Sequence, residues 1–268
     1  MNRIISACAG AAVLFLAFES GGYAADIPVK SRLSAVSHTW SGWYFGANAG
    51  IGFSSSDTKI AGLDAGGTFR VANGIVPAAL SDNRTGLLGG LQLGANLQSG
   101  NIVYGFETDF DYAQVKGKAS STFNFIPPVA LITSSDTKLN WLGTFRGRMG
   151  VAAFERSLFY ATGGLAYGQA TNSVNILAIN NGACTLNVNL CASSSSQKWM
   201  TGWTAGAGWE WSLAEMWTAK VEYLYYDLGK LENRLTPENG SAGITFGSST
   251  KVNGSVVRFG VNYKLGGL

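Results

Sequence analysis

Segments that alternate apolar and polar residues at every second position recur eight times in this sequence, and the connections between them are alternately long and short. The last segment, Thr250 to Leu265, shows the pattern: Val257 and Phe259 alternate with Arg258 and Gly260. A period of two puts the two sets on opposite faces of a β-strand. Transmembrane barrel strands need an apolar face toward lipid and a polar face toward the lumen, and they are joined alternately by long outer loops and short periplasmic turns. The sequence therefore predicts an all-β fold, an eight-stranded antiparallel up-and-down transmembrane β-barrel with long extracellular loops and short periplasmic turns.

The alternation also sets approximate bounds for the strands. They cover residues 43–53, 85–98, 102–112, 137–151, 158–169, 198–211, 217–227 and 250–265. Polar loops are predicted at 54–84, 113–136 and 170–197 and between the last two strands. In the fourth strand Leu139 and Trp141 are assigned outward and Asn140 inward. The tight turn at 99–101 and the short connections at 152–156 and 212–216 belong to the periplasmic end.

Aromatic residues distinguish this barrel from a soluble one. The sixth strand places tryptophans at both ends of one face with small apolar residues between them, namely Trp199, Trp203, Ala205, Ala207, Trp209 and Trp211. That arrangement is typical of two interfacial girdles around a lipid-facing band. A soluble lipocalin-like barrel is the structural alternative. It would put apolar residues inside and charges outside, whereas here the charges lie opposite the aromatic residues.

Composition agrees with a membrane barrel. Charged residues make up 13% of the chain, about half the share in soluble proteins, while 36 of 268 residues are glycine and 12% are aromatic. The net charge of +3 gives no reason to expect nucleic-acid binding, and the three cysteines form no metal-binding pattern. No cofactor is implied.

The first 25 residues have the features of a secretory signal peptide. Arg3 supplies the positive start, residues 4–18 are the apolar core, and Gly22 and Ala24 fit a small-x-small cleavage site near Ala24 or Ala25. We predict three parts: a signal peptide at 1–25, a periplasmic linker at 26–42 and the outer-membrane barrel at 43–268. The linker contains His38, the one histidine of the sequence, which we expect to be solvated.

Several motifs resemble a known family. The start of the predicted mature chain (Ala25-Asp-Ile-Pro-Val-Lys30, then Trp40-Ser-Gly-Trp-Tyr-Phe-Gly46), the segment 162–168 (TGGLAYG) and the terminal Asn-Tyr-Lys at 262–264 resemble alphaproteobacterial outer-membrane surface antigens. These form an OmpA-like or opacity-type group of eight-stranded barrels that includes RopB of rhizobia. The resemblance covers the whole chain and implies a barrel exported to the bacterial outer membrane. Its expected partners are outer-membrane lipid, lipopolysaccharide and the barrel-assembly machinery.

The C-terminal residues also resemble a sorting signal. Segment 258–265 resembles the C-terminal signal of outer-membrane barrels, with Gly260, Tyr263 and Leu265 as the candidate assembly residues. Leu265 stands where the signal normally has Phe, and three residues follow it.

Charged residues are predicted to face the lumen at similar depth. The candidate cluster consists of Glu107, Asp109, Asp111, Arg146, Arg148, Lys220, Glu222 and Arg258. With Glu210 and Lys264 the assigned lumen holds five positive and five negative side chains. An eight-stranded barrel is about wide enough for its side chains to fill it, and buried charges must be paired. Two readings stay open: a plug of salt bridges that closes the barrel, or a narrow charged pore.

These features predict a structural role in the outer membrane, with envelope integrity and display of surface loops as the function. A narrow, low-conductance porin for small solutes is the first alternative, and loop-mediated binding of a ligand or host surface is the second. We predict no enzymatic activity, because His38 lies on the periplasmic side and no Ser/His/Asp or Cys/His arrangement can be assembled at the loop end.

Cys184 and Cys191 lie close together in the third predicted loop. An exported protein can oxidise such a pair, so we predict a disulfide, with two free thiols as the alternative. The oligomeric state is left open, because a closed barrel has no free edge that would force association.

Overall fold

The computed structural model describes residues 38–124, 129–154, 156–180, 183–184, 191–237 and 244–266. The predicted signal peptide and most of the predicted linker lie outside them. The long strands are β1 (Gly42–Gly62), β2 (Ala79–Ser99), β3 (Ile102–Asn124), β4 (Val129–Ala153), β5 (Ser157–Asn180), β7 (Cys191–Ser212), β8 (Trp217–Leu235) and β9 (Phe246–Gly266). A two-residue strand, β6 (Ala183–Cys184), pairs with the end of β5, and one helix, α1 (Ala65–Ala72), is described.

The eight long strands close into a ring in which every pair is antiparallel. Each strand pairs with its neighbour in the chain, and β1 also pairs with β9. The predicted eight-stranded up-and-down barrel is confirmed. The β7–β8 ladder is the shortest and stops at the pair Trp203–Asp227, and a single bridge between Ala192 and Pro237 joins their outer ends.

The strands extend well beyond their predicted outer ends, so about half or more of each predicted loop is strand and was wrongly assigned. β1 continues from Phe53 to Gly62, β3 from Tyr112 to Asn124, and β5 from Gln169 to Asn180. The reason is a change in the alternation, because here the outward positions are polar and the inward positions carry both apolar and small polar residues. We call these outer parts the extension. It comprises residues 54–62, 79–84, 114–124, 129–140, 170–180, 191–198, 228–235 and 246–253.

The interior is filled in layers, which β5 crosses from the periplasmic to the extracellular end. Its inward residues are, in order, Leu158, Tyr160, Thr162, Ala166, Ala170, Asn172, Val174, Ile176 and Ala178. Leu158 and Tyr160 belong to a periplasmic apolar layer, and Thr162 lies in a charged layer. Ala166 and Ala170 belong to a middle apolar layer, and Asn172 lies in a polar layer. The last three residues belong to an outer apolar layer.

Below the extension, the outer surface is a belt of exposed apolar side chains. Leu87 and Leu91 are about 70% exposed. Aromatic contacts mark its two rims, with Trp217 against Tyr263 at the periplasmic end and Trp141 stacked on Phe110 at the outer end. The predicted lipid-facing band is therefore present.

One outward assignment was wrong. Leu139 is 4% exposed and belongs to the middle apolar layer. A β-bulge between Leu139 and Trp141 interrupts the β4–β5 register. The extra residue, Asn140, donates from Nδ2 to Thr171 Oγ1 at 3.0 Å. A bulge shifts the alternation by one position, and the sequence pattern does not reveal it.

Helix α1 lies at the extracellular end. Asp64 caps it by accepting a hydrogen bond from the Gly67 backbone N–H at 2.8 Å. Val71 and the following Ile75 pack against the outer apolar layer, and Val76 is completely buried in it. None of the helical residues described forms a segment long and apolar enough to cross a bilayer.

Candidate functional site

The charged layer is centred on Arg146, which β4 directs into the lumen. Its Nη2 lies 2.6 Å from Glu107 and 2.9 Å from Asp109, and its Nη1 lies 3.0 Å from Glu222. Glu107 is its direct cross-strand neighbour on β3, whereas Glu222 reaches it from β8 across the barrel. One guanidinium thus connects opposite walls of the ring.

Arg258 makes a similar set of contacts from β9. It lies 2.7 Å from Asp109, 3.1 Å from Asp111 and 2.6 Å from Glu222. Lys220 adds a third cation, with Nζ 2.7 Å from both oxygens of Glu107. The side chains of Arg146, Arg258 and Lys220 are at most 1% exposed.

Arg148 forms the periplasmic side of the layer. It lies 2.6 Å from Glu210, donates to Tyr44 Oη at 2.9 Å and sits 4.0 Å from the centroid of the Tyr160 ring. Tyr44 donates in turn to Glu107 at 2.8 Å, and Tyr160 donates to Glu222 at 2.9 Å. Sequence reasoning missed the roles of both tyrosines. The signal for Tyr44 is its place on the polar face of the period-two pattern in the first strand.

The structure brings together all eight residues of the predicted cluster. Lys264, the fifth positive charge assigned to the lumen, is buried but lies below this layer. Its ammonium donates to the backbone oxygen of Thr39 at the periplasmic end. Four cations therefore face five carboxylates, and among the described residues one oxygen each of Asp109 and Asp111 has no hydrogen-bond donor.

The middle apolar layer closes the lumen above the charges. Leu88, Leu142, Leu224 and Val256 are among its members, each at most 4% exposed. Side chains from six long strands contribute to it, so a path from the charged layer to the outside would have to cross packed aliphatic groups.

The polar and outer apolar layers fill the extension. In the polar layer, Thr58 lies 2.9 Å from Thr250 and 3.1 Å from Ser135. Asn233 on β8 donates to Asn172 on β5 at 2.7 Å. The outer apolar layer includes Leu131, Ile176, Leu235 and Phe246, all completely buried. A second buried ion pair, Arg84 with Asp82, lies in a segment that had been predicted as loop.

The periplasmic end is closed by residues that had been assigned to the linker. The prediction that His38 is solvated was wrong: it is 7% exposed, and its Nδ1 lies 3.2 Å from Ser212 Oγ. Its ring meets the edge of Trp40, which is 2% exposed and belongs to the periplasmic apolar layer. The signal that could have found this is Trp40 itself, a large apolar residue just before β1.

The charge on His38 is disfavoured in this position. Burial lowers the pKa of His38 below its usual 6.5; Lys264 and Arg156 act in the same direction, and Glu210 opposes them. No carboxylate among the described residues hydrogen-bonds to this histidine, so contact with Ser212 does not form a catalytic triad. The described residues also contain no cluster of three side chains suited to a metal ion.

The remaining predicted residues lie at the two ends of the barrel. Cys191 begins β7 and is disulfide-bonded. The side chain of Cys184 is outside the described part of the structure, so the pairing of these two cysteines stays a prediction. At the periplasmic end, Leu265 is 58% exposed on the lipid side, and Tyr263 contacts Trp217. Gly260 faces inward, where a Cβ atom would come within 3.0 Å of Gln92 and Lys220.

The closed ring, its apolar belt and its charged interior can be compared with known proteins. The family described as "Outer membrane protein beta-barrel domain" matches residues 11–264. The chain belongs to this family. It is 34% identical over 253 residues to the 31 kDa outer-membrane immunogenic protein of Brucella melitensis, covering 92% of this chain and 95% of that protein. It is 27% identical over 255 residues to the 25 kDa outer-membrane immunogenic protein of Brucella abortus, covering 93% of each.

A solved structure shows the same fold. The crystal structure of the outer membrane protein OprG from Pseudomonas aeruginosa aligns with a TM-score of 0.53 at 13% identity, over 86% of this chain and 98% of that one. These relationships confirm the predicted resemblance to alphaproteobacterial outer-membrane surface antigens. They also confirm the outer membrane as the location of this barrel.

Proposed function

We propose that this protein is a non-conducting structural barrel of the outer membrane. Its extension displays the surface loops outside the cell. The single observation that carries this proposal is the occupied lumen. The charged layer spans the ring through Arg146, and its members are nearly inaccessible to solvent.

The apolar layers on the two sides of the charged layer also close the lumen, independently of the charges. A narrow pore needs a continuous path wide enough for water and a small solute, yet packed apolar side chains lie on both sides of the charged layer. Hydrophobic constrictions of this kind also oppose ion passage by dewetting. Such packing supports the closed barrel over the alternative of a low-conductance porin.

Single-channel recording of the refolded protein in a planar bilayer tests this proposal. We expect no discrete conductance steps from the wild type, with folding established by β-rich circular dichroism. We expect Arg146→Ala to be silent as well, because the middle apolar layer still closes the lumen. Discrete steps from the wild type whose size or ion preference changes in Arg146→Ala would identify a pore instead.

A further inference from the structure

Two lysine pairs lie on the outer surface of the extension. Lys116 on β3 is directly opposite Lys138 on β4, and Lys230 on β8 is directly opposite Lys251 on β9. All four side chains are exposed. Like charges at directly opposed positions of an antiparallel pair destabilise the sheet. The fold therefore bears the same unfavourable contact twice.

Both pairs are immediately above the outer aromatic rim. The Lys116–Lys138 pair follows Tyr112 and Trp141, whose rings are 4.9 Å apart. The second pair stands in the corresponding position above Trp203 and Tyr225, whose rings are 5.3 Å apart. Aromatic residues of this kind sit at the headgroup level of a membrane. The lysines are thus placed where the outer-leaflet headgroups meet water.

The pairs also face opposite directions around the ring. Two strands, β5 and β7, separate β4 from β8 on one side, and β1 and β2 separate β9 from β3 on the other. Lipid molecules surrounding the barrel would therefore meet one pair on each side. A site for a single soluble ligand would not require this opposed placement.

Local carboxylates only partly neutralise each pair. Lys251 lies 2.9 Å from Asp227, and Lys138 lies 3.9 Å from Asp136. Within the described residues, Lys116 and Lys230 have no carboxylate at ion-pair distance. Each pair thus retains one ammonium group available to an external anion.

We propose that the two lysine pairs bind the phosphate groups of lipid A in the outer leaflet. Opposed Cβ atoms in an antiparallel pair are about 5 Å apart. A phosphate bound by the free ammonium of Lys116 or Lys230 therefore also lies near the partner lysine, which stays close to its aspartate. Basic residues close to an anionic membrane surface are attracted to its headgroups. Binding would also offset the repulsion within each pair.

The test measures thermal unfolding of the protein refolded in uncharged detergent micelles, as phosphorylated lipid A is added. The variant Lys116→Gln/Lys230→Gln removes one lysine from each pair. The control Arg70→Gln/Arg156→Gln removes the same charge from α1 and from a periplasmic turn. We expect the lysine variant to need about fivefold more lipid A for half-maximal stabilisation, and the control to behave as wild type.

Two further comparisons distinguish binding from a structural role. Without lipid, the lysine variant is expected to unfold at the wild-type temperature or higher, because the like-charge contact is gone. Dephosphorylated lipid A and inorganic phosphate at equal concentration are expected to stabilise wild type much less than lipid A. The proposal is overturned if lipid A stabilises the lysine variant as well as wild type, or if either of these two probes matches lipid A.

Discussion

The membrane-embedded part of the barrel and the extension are built from the same strands with opposite polarity. In the embedded part, Leu91 and Phe106 face outward while Arg146 and Glu107 face inward. In the extension the interior combines apolar layers with one layer of paired polar side chains, and the outward positions are mostly serine, threonine and charged residues. Within a single strand, β5 passes from one arrangement to the other near Ala170.

This contrast shows that the surrounding medium dictates the outer face, while the interior needs only to be filled and paired. In lipid, an apolar exterior costs nothing, and a charged interior is stable when every ion has partners. In water, the extension must gain stability from buried apolar area, as a soluble barrel does. The lipocalin-like arrangement considered as the alternative for the whole chain thus describes the extension.

The largest effect is expected from removing a cation of the charged layer. Arg146→Ala is expected to lower the free energy of unfolding by about 3–5 kcal/mol, because it leaves Glu107, Asp109 and Glu222 short of a cation inside the barrel. Urea titration in lipid vesicles measures this.

The matched control is Lys118→Ala in the extension. Its ion pair with Asp136 is on the surface, where the lysine side chain is 77% exposed. We expect less than about 1 kcal/mol. Equal effects of the two variants would show that the charged layer does not hold the barrel together.

The second test introduces the same charge on the outer face of each region. Leu91→Arg places a charge on the lipid side near the middle of the belt, where it should cost about 2–4 kcal/mol in a bilayer. Ser120→Arg makes the same change at an outward position of the extension and should be nearly neutral. Unfolding in vesicles compares the two, and a large cost at Ser120 would place that position in lipid.

The smallest expected effect concerns the periplasmic end. Because the folded-state pKa of His38 is depressed, its contribution to stability is present above the unfolded value of 6.5. That contribution is lost as the pH falls from 6.5 to the lower folded-state pKa, since the unfolded chain takes up the proton first. Hydrogen exchange of the Trp40 segment between about pH 8 and pH 5 should therefore speed up at low pH relative to a His38→Gln variant. Identical pH profiles of exchange in wild type and His38→Gln would contradict a lowered pKa of His38.

The sequence predicted the embedded barrel well, because its strands obey one rule in one medium. The inward and outward faces of the tryptophan-rich sixth strand and the depth of Glu107 and Arg146 both followed from a period of two. The extension was missed because its rule is reversed, and polar outward residues such as those around Ser195 resemble a loop. The bulge at Asn140 depends on tertiary contacts that no local pattern encodes, whereas the burial of His38 had a local signal in the neighbouring Trp40.

The length of the extension sets a distance between the membrane and the outer ends of the strands. Ten residues of β5 separate Ala170 from Asn180. At about 3.4 Å per residue and a tilt of about 40°, they raise the loop ends roughly 25 Å above the lipid. Because the extension is a packed barrel, the outer ends of its strands stand at a fixed height. A large molecule arriving from outside can therefore touch them without approaching the bilayer.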